Sequence, residues 1–248
     1  MKLWVLIFAL KNGIIHLFFI EREEFTMKKI GVILAMQKEL DLYVKHMDDY
    51  HIVTFFRHPF YVCKYKGFDL IIAVSGIGKV AAALTASNMI YSFSPDLIIN
   101  IGVSGGLDRS LKVGDWVLGT DLRYHDFWSG DELCDNNDPM VPHVYHSDFA
   151  IAGRQKGCVK GLLCCGDQFI VDKDELAAIK EQYPEALAVD MESAAIAQTC
   201  EAYNVKFLCM RQISDTPSED NQIEQYEQFW HDASEHSYQV FKSILDSL

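Results

Sequence analysis

Three stretches of this chain place carboxylates where a folded protein must compensate for them. In "LAVDMESAAIAQ", Asp190 and Glu192 flank Met191 at the point where an apolar run gives way to an alanine-rich helix pattern. Hiding an unpaired carboxylate costs several kcal/mol unless hydrogen bonds or a ligand compensate, so something polar should meet both. A carboxylate at a helix start can accept two hydroxyls at once, as the diol of a ribose offers, and the thioether between them can pack on a flat sugar. The same residues also fit ordinary capping, with Asp190 as the helix cap and Glu192 favoured in the first turn.

"RQISDTPSED" puts Arg211, Ser214 and Asp215 at the end of a run too apolar for a surface loop. An aspartate there can be held protonated and used as an acid, or it can cap the turn that follows. In "AMQKEL", Glu39 sits just past the first strand pattern of the main chain segment. "GDQFIVD" adds Phe169, whose ring could stack on a base, and Ile170, whose main chain could meet a base edge. A phenylalanine taken alone is more often core, so that inference needs the others beside it. "SGIGKV" and "GVSGGL" are glycine turns, the second carrying Val103, Ser104 and Gly105.

All of these residues follow apolar runs, and in open α/β sheets ligands settle at the carboxyl ends of the strands. Strands are expected at "KKIGVILA", "HPFYVCKYKG", "FDLIIAVSG", "DLIINIGVSG", "GDWVLGTDLRY", "VKGLLCCGDQFI", "ALAVDM" and "VKFLCMRQISD". Helices are expected at 38–47, 79–92, 174–182, 192–203 and 222–247. That alternation, with no linker or repeat, predicts a single α/β domain over residues 27–248, a three-layer α/β/α sandwich around a central mixed sheet. The aperiodic segment from Phe127 to Ala152, rich in Asp, Asn, His and Pro, reads as a surface loop. His143, His146 and Asp148 in "HVYHSD" have a tempting spacing for a metal, but with no third His or Cys partner they read as solvated side chains.

The 248 residues are half hydrophobic, enough for a substantial core, and 22 Lys+Arg against 35 Asp+Glu give a formal charge of −13. Such a surface repels phosphate backbones and anionic lipid heads, which argues against nucleic-acid and membrane partners. Seven cysteines without a CxxC spacing read as reduced, buried small hydrophobes in a cytoplasmic protein. Nothing in the pattern demands a metal or an organic cofactor.

Residues 1–26 are apolar, yet Lys11, Asn12 and His16 interrupt them, no small-x-small cleavage site follows and the acidic "EREE" closes them. They are expected to be a non-native or disordered extension, with translation starting at Met27. Glu21, Arg22, Glu23 and Glu24 can all be written in purine-only codons, which fits a ribosome-binding site read as coding sequence.

Taken together, "KIGVILAMQKEL", "SGIGKVAAA", "INIGVSGGL", "LKVGDWVL", "RYHD", "GDQFI", "AVDMESAAIA" and "RQISD" resemble the 5′-methylthioadenosine/S-adenosylhomocysteine nucleosidases in order and context, from Met27 to the C-terminus. The broader purine nucleoside phosphorylase family is similar as well. The resemblance implies a nucleoside phosphorylase/hydrolase-like fold and hydrolysis of the N-glycosidic bond of a 5′-thio-substituted adenosine. It implies that Asp215, assisted by Ser214, protonates or hydrogen-bonds the purine at N7 and that Glu39 activates water with Arg211 nearby. Glu192 would hold the ribose hydroxyls, Met191 would pack on the sugar, and Phe169 and Ile170 would take the base. It implies a homodimer whose partner subunit closes the 5′ end.

Asp190 stands where the family is expected to have Glu, and Val103 where many relatives have Ser, so a contact there falls to main chain or Ser104. After "RYHD" the chain reads "FWSGDELCDNNDPMVPHVYHSD" in place of the usual aromatic, glycine-rich stretch, which leaves the 5′ substituent open. The rival readings are a hydrolase of another purine nucleoside such as aminodeoxyfutalosine, a phosphorolytic enzyme, and a nucleoside binder without catalysis. Glu39 would repel phosphate, and a pure binder would not need Glu39, Glu192 and Asp215 together.

Overall fold

The computed structural model describes residues 3–11, 14–22, 29–47, 49–128, 143–216, 222–232 and 235–248. Its elements run β1 (Leu3–Lys11), β2 (Ile14–Arg22), β3 (Lys29–Leu34), α1 (Gln37–Val44), β4 (His51–Phe55), β5 (His58–Tyr65), β6 (Phe68–Val74), α2 (Lys79–Phe93), β7 (Leu97–Gly106) and β8 (Trp116–Tyr124). They continue as β9 (Tyr145–His146), α3 (Phe149–Arg154), β10 (Val159–Cys165), α4 (Lys173–Gln182), β11 (Ala186–Asp190), α5 (Ser193–Ala202), β12 (Lys206–Asp215), α6 (Gln222–Asp232) and α7 (Glu235–Asp246).

Strands β3 to β12 form one mixed sheet in the order β11-β10-β8-β12-β7-β3-β6-β5-β4, with β9 beside β8. Alternation along β3 shows why helices cover both faces. Ile30, Val32 and Leu34 point into a core shared with Leu40 and Tyr43 of α1, Ile151 of α3 and Phe241 and Ile244 of α7. Ile33 points the other way, into a core with Ala82, Ala86 and Met89 of α2 and Ile196 and Cys200 of α5. Strands buried on both faces read as continuous apolar runs, and helices on each side make the three-layer sandwich expected.

Beyond β7 the sheet curls back on itself. β11 hydrogen-bonds β10 on one side and β7 on the other, with Ala188 opposite Gly106 and Val189 opposite Gly105. The strands β7, β12, β8, β10 and β11 therefore close a ring of mixed direction, in which the carboxyl ends of β7, β11 and β12 meet and bring Gly105, Asp190 and Asp215 together.

Several expectations are corrected. The C-terminal helix expected over 222–247 is two helices, α6 and α7. The strand expected to run through Ile170 ends at Cys165, because Gly166 turns away over the His125 ring, whose Nε2 would lie 2.2 Å from any Cβ placed there. The segment read as a loop from Phe127 to Ala152 contains β9, which pairs with β8, and the start of α3, capped by the Asp148 carboxylate accepting from the Ile151 N–H at 3.0 Å; residues 129–142 of it lie outside the described residues.

Among the described residues β1 and β2 pair only with each other, Leu3 opposite Arg22 through Lys11 opposite Ile14. No helix of the described residues is long and apolar enough to cross a membrane.

Candidate active site

The carboxyl ends of β3, β7, β11 and β12 open on one cavity, joined by the loop after β10 and by α6. Among the residues singled out from the sequence, Glu39, Val103, Ser104, Gly105, Phe169, Ile170, Asp190, Met191, Glu192, Ser214 and Asp215 line it. Arg211 does not; it is fully buried beneath the floor.

Glu39 reaches the cavity from the first turn of α1. It folds back on the end of β3, where the N–H groups of Ala35 and Met36 both donate to Oε2 at 2.8 Å, and the Val103 N–H donates to Oε1 at 3.2 Å. An acidic residue at this helix position satisfies otherwise orphaned N–H groups. Burial holds its pKa above the ordinary carboxylate value, although Arg211 and the three main-chain donors pull the other way. The result is a carboxylate fixed in direction yet basic enough to take a proton.

Arg211, in the middle of β12, ties the floor together. Its Nε donates to Asp190 Oδ2 at 2.8 Å and its Nη2 to Asn100 Oδ1 at 2.6 Å, with Glu192 Oε2 at 3.7 Å. Its Nη1 has no hydrogen-bond partner among the described residues. Nη1 and Glu39 Oε1 both lie over Gly102, within 2.8 and 2.6 Å of where its Cβ would be.

Asp190 and Glu192 of "VDMES" differ in what holds them. Asp190 does the capping: its Oδ1 accepts from the N–H groups of Glu192 and Ser193 at 3.1 and 3.0 Å and from the Ser193 hydroxyl at 2.9 Å. Burial would raise its pKa, but Arg211 and the Ser193 donors outweigh that and hold it low. Asp190 is thereby an ionised anchor for Arg211. Glu192 is different. Its Oε1 accepts from the Gly78 N–H at 2.9 Å, while burial, aided by the Asp190 charge and opposed by Arg211, raises its pKa to about 7.

Asp215, at the end of β12, is only 1% exposed. The Ser214 hydroxyl donates to its Oδ1 at 2.6 Å and the Gln222 amide to its Oδ2 at 3.2 Å. Burial raises its pKa, against those two donors. Ser104 Oγ, on β7 nearby, is buried and has no hydrogen-bond partner among the described residues. Phe169 is half exposed at the cavity wall and meets the Tyr226 ring edge-on at 5.4 Å, a flat apolar slot for an aromatic ligand.

Sequence reasoning did not single out Met36, Ile77, Gln168, Val189, Gln222 and Tyr226. Helical spacing shows that one face of α6 is buried but not that this face meets the site. Lys79 begins α2 and is tied off at the rim, its ammonium 2.7 Å from Asp126 and 3.6 Å from Asp167. His143 meets Glu201 at 3.0 Å and His146 meets Asp121 at 2.8 Å, so each ring has a carboxylate of its own.

Residues 29–246 match the family model of the phosphorylase superfamily. The 5′-methylthioadenosine/S-adenosylhomocysteine nucleosidase of Staphylococcus haemolyticus is 34% identical over 230 residues, covering 88% of this chain and all of the relative. The solved structure of the Neisseria meningitidis nucleosidase of the same name, in complex with methylthio-immucillin-A, is 32% identical with a TM-score of 0.81, covering 90% of this chain and all of the other. Futalosine hydrolase of Helicobacter pylori, 24% identical over 90% of this chain and 99% of its own with a TM-score of 0.81, shares the fold. The chain belongs to the phosphorylase superfamily and, within it, to the 5′-methylthioadenosine/S-adenosylhomocysteine nucleosidases.

Proposed function

We propose that this chain hydrolyses the N-glycosidic bond of 5′-methylthioadenosine and S-adenosylhomocysteine, giving adenine and the 5-thioribose product. The observation that carries hydrolysis over phosphorolysis is the charge of the cavity. Its described lining holds four carboxylates, Glu39, Asp190, Glu192 and Asp215, and no lysine or arginine. Arg211 is sealed below and committed to Asp190 and Asn100. Such a site repels phosphate and favours an oxocarbenium-like sugar.

The roles follow from position. Asp215 carries a proton to the purine N7 as the bond from C1′ to N9 breaks, so adenine leaves neutral, and Ser214 holds the carboxyl in line. Glu39 takes a proton from the water that attacks C1′, with Nη1 of Arg211 beside its Oε1 over Gly102. Glu192 accepts the ribose hydroxyls, Met191 packs on the sugar, Phe169 stacks on adenine, and the Ile170 main chain meets the base edge. Val103 fixes Glu39 through its N–H where it lines the cavity, and Ser104 and Gly105 form the wall beside Asp215. Asp190 acts through Arg211.

A homodimer in the cytoplasm, working in methionine salvage, completes the reading. Ile77 at the cavity, just before α2, and Val80, Leu84 and Tyr91 along α2 lie exposed, as an apolar face for a second copy would. The six described cysteines are unpaired, in keeping with a reducing compartment.

The test is release of free base from methylthioadenosine, S-adenosylhomocysteine, adenosine, inosine and aminodeoxyfutalosine, with and without phosphate. Adenine release from the two thio-nucleosides at a rate indifferent to phosphate is expected; dependence on phosphate sinks the reading, and preference for aminodeoxyfutalosine moves the substrate. Asp215→Asn and Glu39→Gln should each lower turnover at least ~100-fold, and near-wild-type rates in either would remove its assigned role.

A further inference from the structure

We propose that Gln222 is a positioning residue that restrains Asp215 in the empty site and yields it to the purine. This rests on the reading of Asp215 as the acid that meets N7.

Gln222 is the first residue of α6 and only 6% exposed. Its amide nitrogen lies 3.2 Å from Asp215 Oδ2, the oxygen that faces Gly105 at the cavity wall, 3.2 Å from where a Cβ on that glycine would sit. Its approach is braced. Three residues further along α6, Gln225 Oε1 accepts from the Thr216 N–H at 2.9 Å, which binds the helix to the residue next to Asp215. One turn on from Gln222, the Tyr226 hydroxyl accepts from Lys38 Nζ at 2.9 Å, and that ammonium sits 4.0 Å over the Trp230 ring. The amide is thus delivered to Oδ2 by a helix pinned at three places.

A primary amide that donates to a carboxylate stabilises its ionised form. Both oxygens of Asp215 accept in this structure, Oδ1 from Ser214 and Oδ2 from Gln222. The two donors are not equivalent. The Ser214 hydroxyl can rotate and accept instead, so it tolerates a protonated Asp215. The Gln222 amide nitrogen can only donate, and an amide turned over to present its oxygen would capture the very proton that N7 needs. A purine seated against Oδ2 therefore displaces Gln222, and the acid becomes competent when the base arrives.

The groups facing Asp215 are otherwise uncharged: Ser104 and Gly105 of β7, Val189 of β11, Ser214 of β12. The ionisable members of the cavity, Glu39, Asp190 and Glu192, belong to its sugar and water end, and Arg211 lies under the floor. Burial pushes its pKa up, and the Ser214 and Gln222 donors pull it down.

The experiment is a pair of pH profiles for methylthioadenosine cleavage by the full chain, in the wild type, Gln222→Met and Gln222→Glu. Because Asp215 must be protonated to act, the basic limb of kcat/KM reports it in the free enzyme and that of kcat reports it in the complex. Loss of the donor should move the basic limb of kcat/KM up by about one pH unit, and a carboxylate at 222 should move it at least as far, with the basic limb of kcat unmoved in both variants. An unmoved kcat/KM limb, or equal movement of both limbs, overturns the proposal; a change in KM alone, with both limbs in place, reduces Gln222 to a structural tie of α6 and overturns it too. Asp215→Asn run alongside separates the two ideas, since near-wild-type turnover in that variant defeats the reading of Asp215 itself.

Discussion

Gly102 is the position where the smallest addition should do the most harm. A methyl group there would sit 2.6 Å from Glu39 Oε1 and 2.8 Å from Arg211 Nη1, against the 3.4 Å at which ordinary contact begins. The carboxylate or the guanidinium must retreat by about 0.6–0.8 Å, and a misplacement near 1 Å of a reacting group costs about 10²-fold. Neither can retreat without loss, because three main-chain N–H groups hold Glu39 and both Asp190 and Asn100 hold Arg211. Gly102→Ala should therefore lower kcat for adenine release by about 100-fold while KM changes little, since the base and ribose contacts are elsewhere. Overpacking should cost about 1–3 kcal/mol in denaturant unfolding. Gly153→Ala is the control, because no atom lies within 4 Å of its Cβ position; it should change neither quantity. A folded Gly102→Ala enzyme with wild-type kcat would show that the seating of Glu39 against Arg211 is not what activates the water.

Asp190→Ala leaves the Arg211 charge buried without its anchor, so urea unfolding should show a loss of about 3–5 kcal/mol; a loss under 1 kcal/mol would contradict the capping and ion-pair role. The Glu192 pKa is raised to about 7 in the fold, so the native state holds that proton more tightly than the unfolded chain, and its contribution is present at low pH and lost as pH rises through 7. Between pH 4.5 and 8 the wild type should lose about 3 kcal/mol more than Glu192→Gln, and parallel stability curves would refute the shift.

The layers and the residues gathered at the rim were legible because each followed an apolar run, and strand ends in a doubly covered sheet converge by geometry. What stayed hidden depended on partners distant in sequence. Nothing local distinguishes Arg211 as a floor residue from Arg211 as a lining one; that follows from Asp190 and Asn100 meeting it from two other strands. β4 escaped notice because its hairpin turns through Phe56 and Arg57 at positive φ, 47° and 69°, where Asn-Gly or Asp-Gly is the usual signal. Tyr226 and Gln222 looked like any apolar and polar helix positions. The turn at Gly166 looked like continuing strand because a glycine in a run of apolar residues does not announce that a histidine ring lies beneath it.

The position of β12 between β7 and β8 has a consequence for how the molecule comes into being. The ribosome makes this strand late, after all the others, yet it belongs at the centre, pairing with Leu97–Gly105 on one side and Trp116–Gly119 on the other. Until it emerges, two long apolar neighbours have unsatisfied edges, and a nascent chain stalled before residue 206 presents them to any strand nearby. The segment that brings Arg211 and Asp215 is also the segment that seals the sheet, so a truncated product should be both inactive and prone to clump.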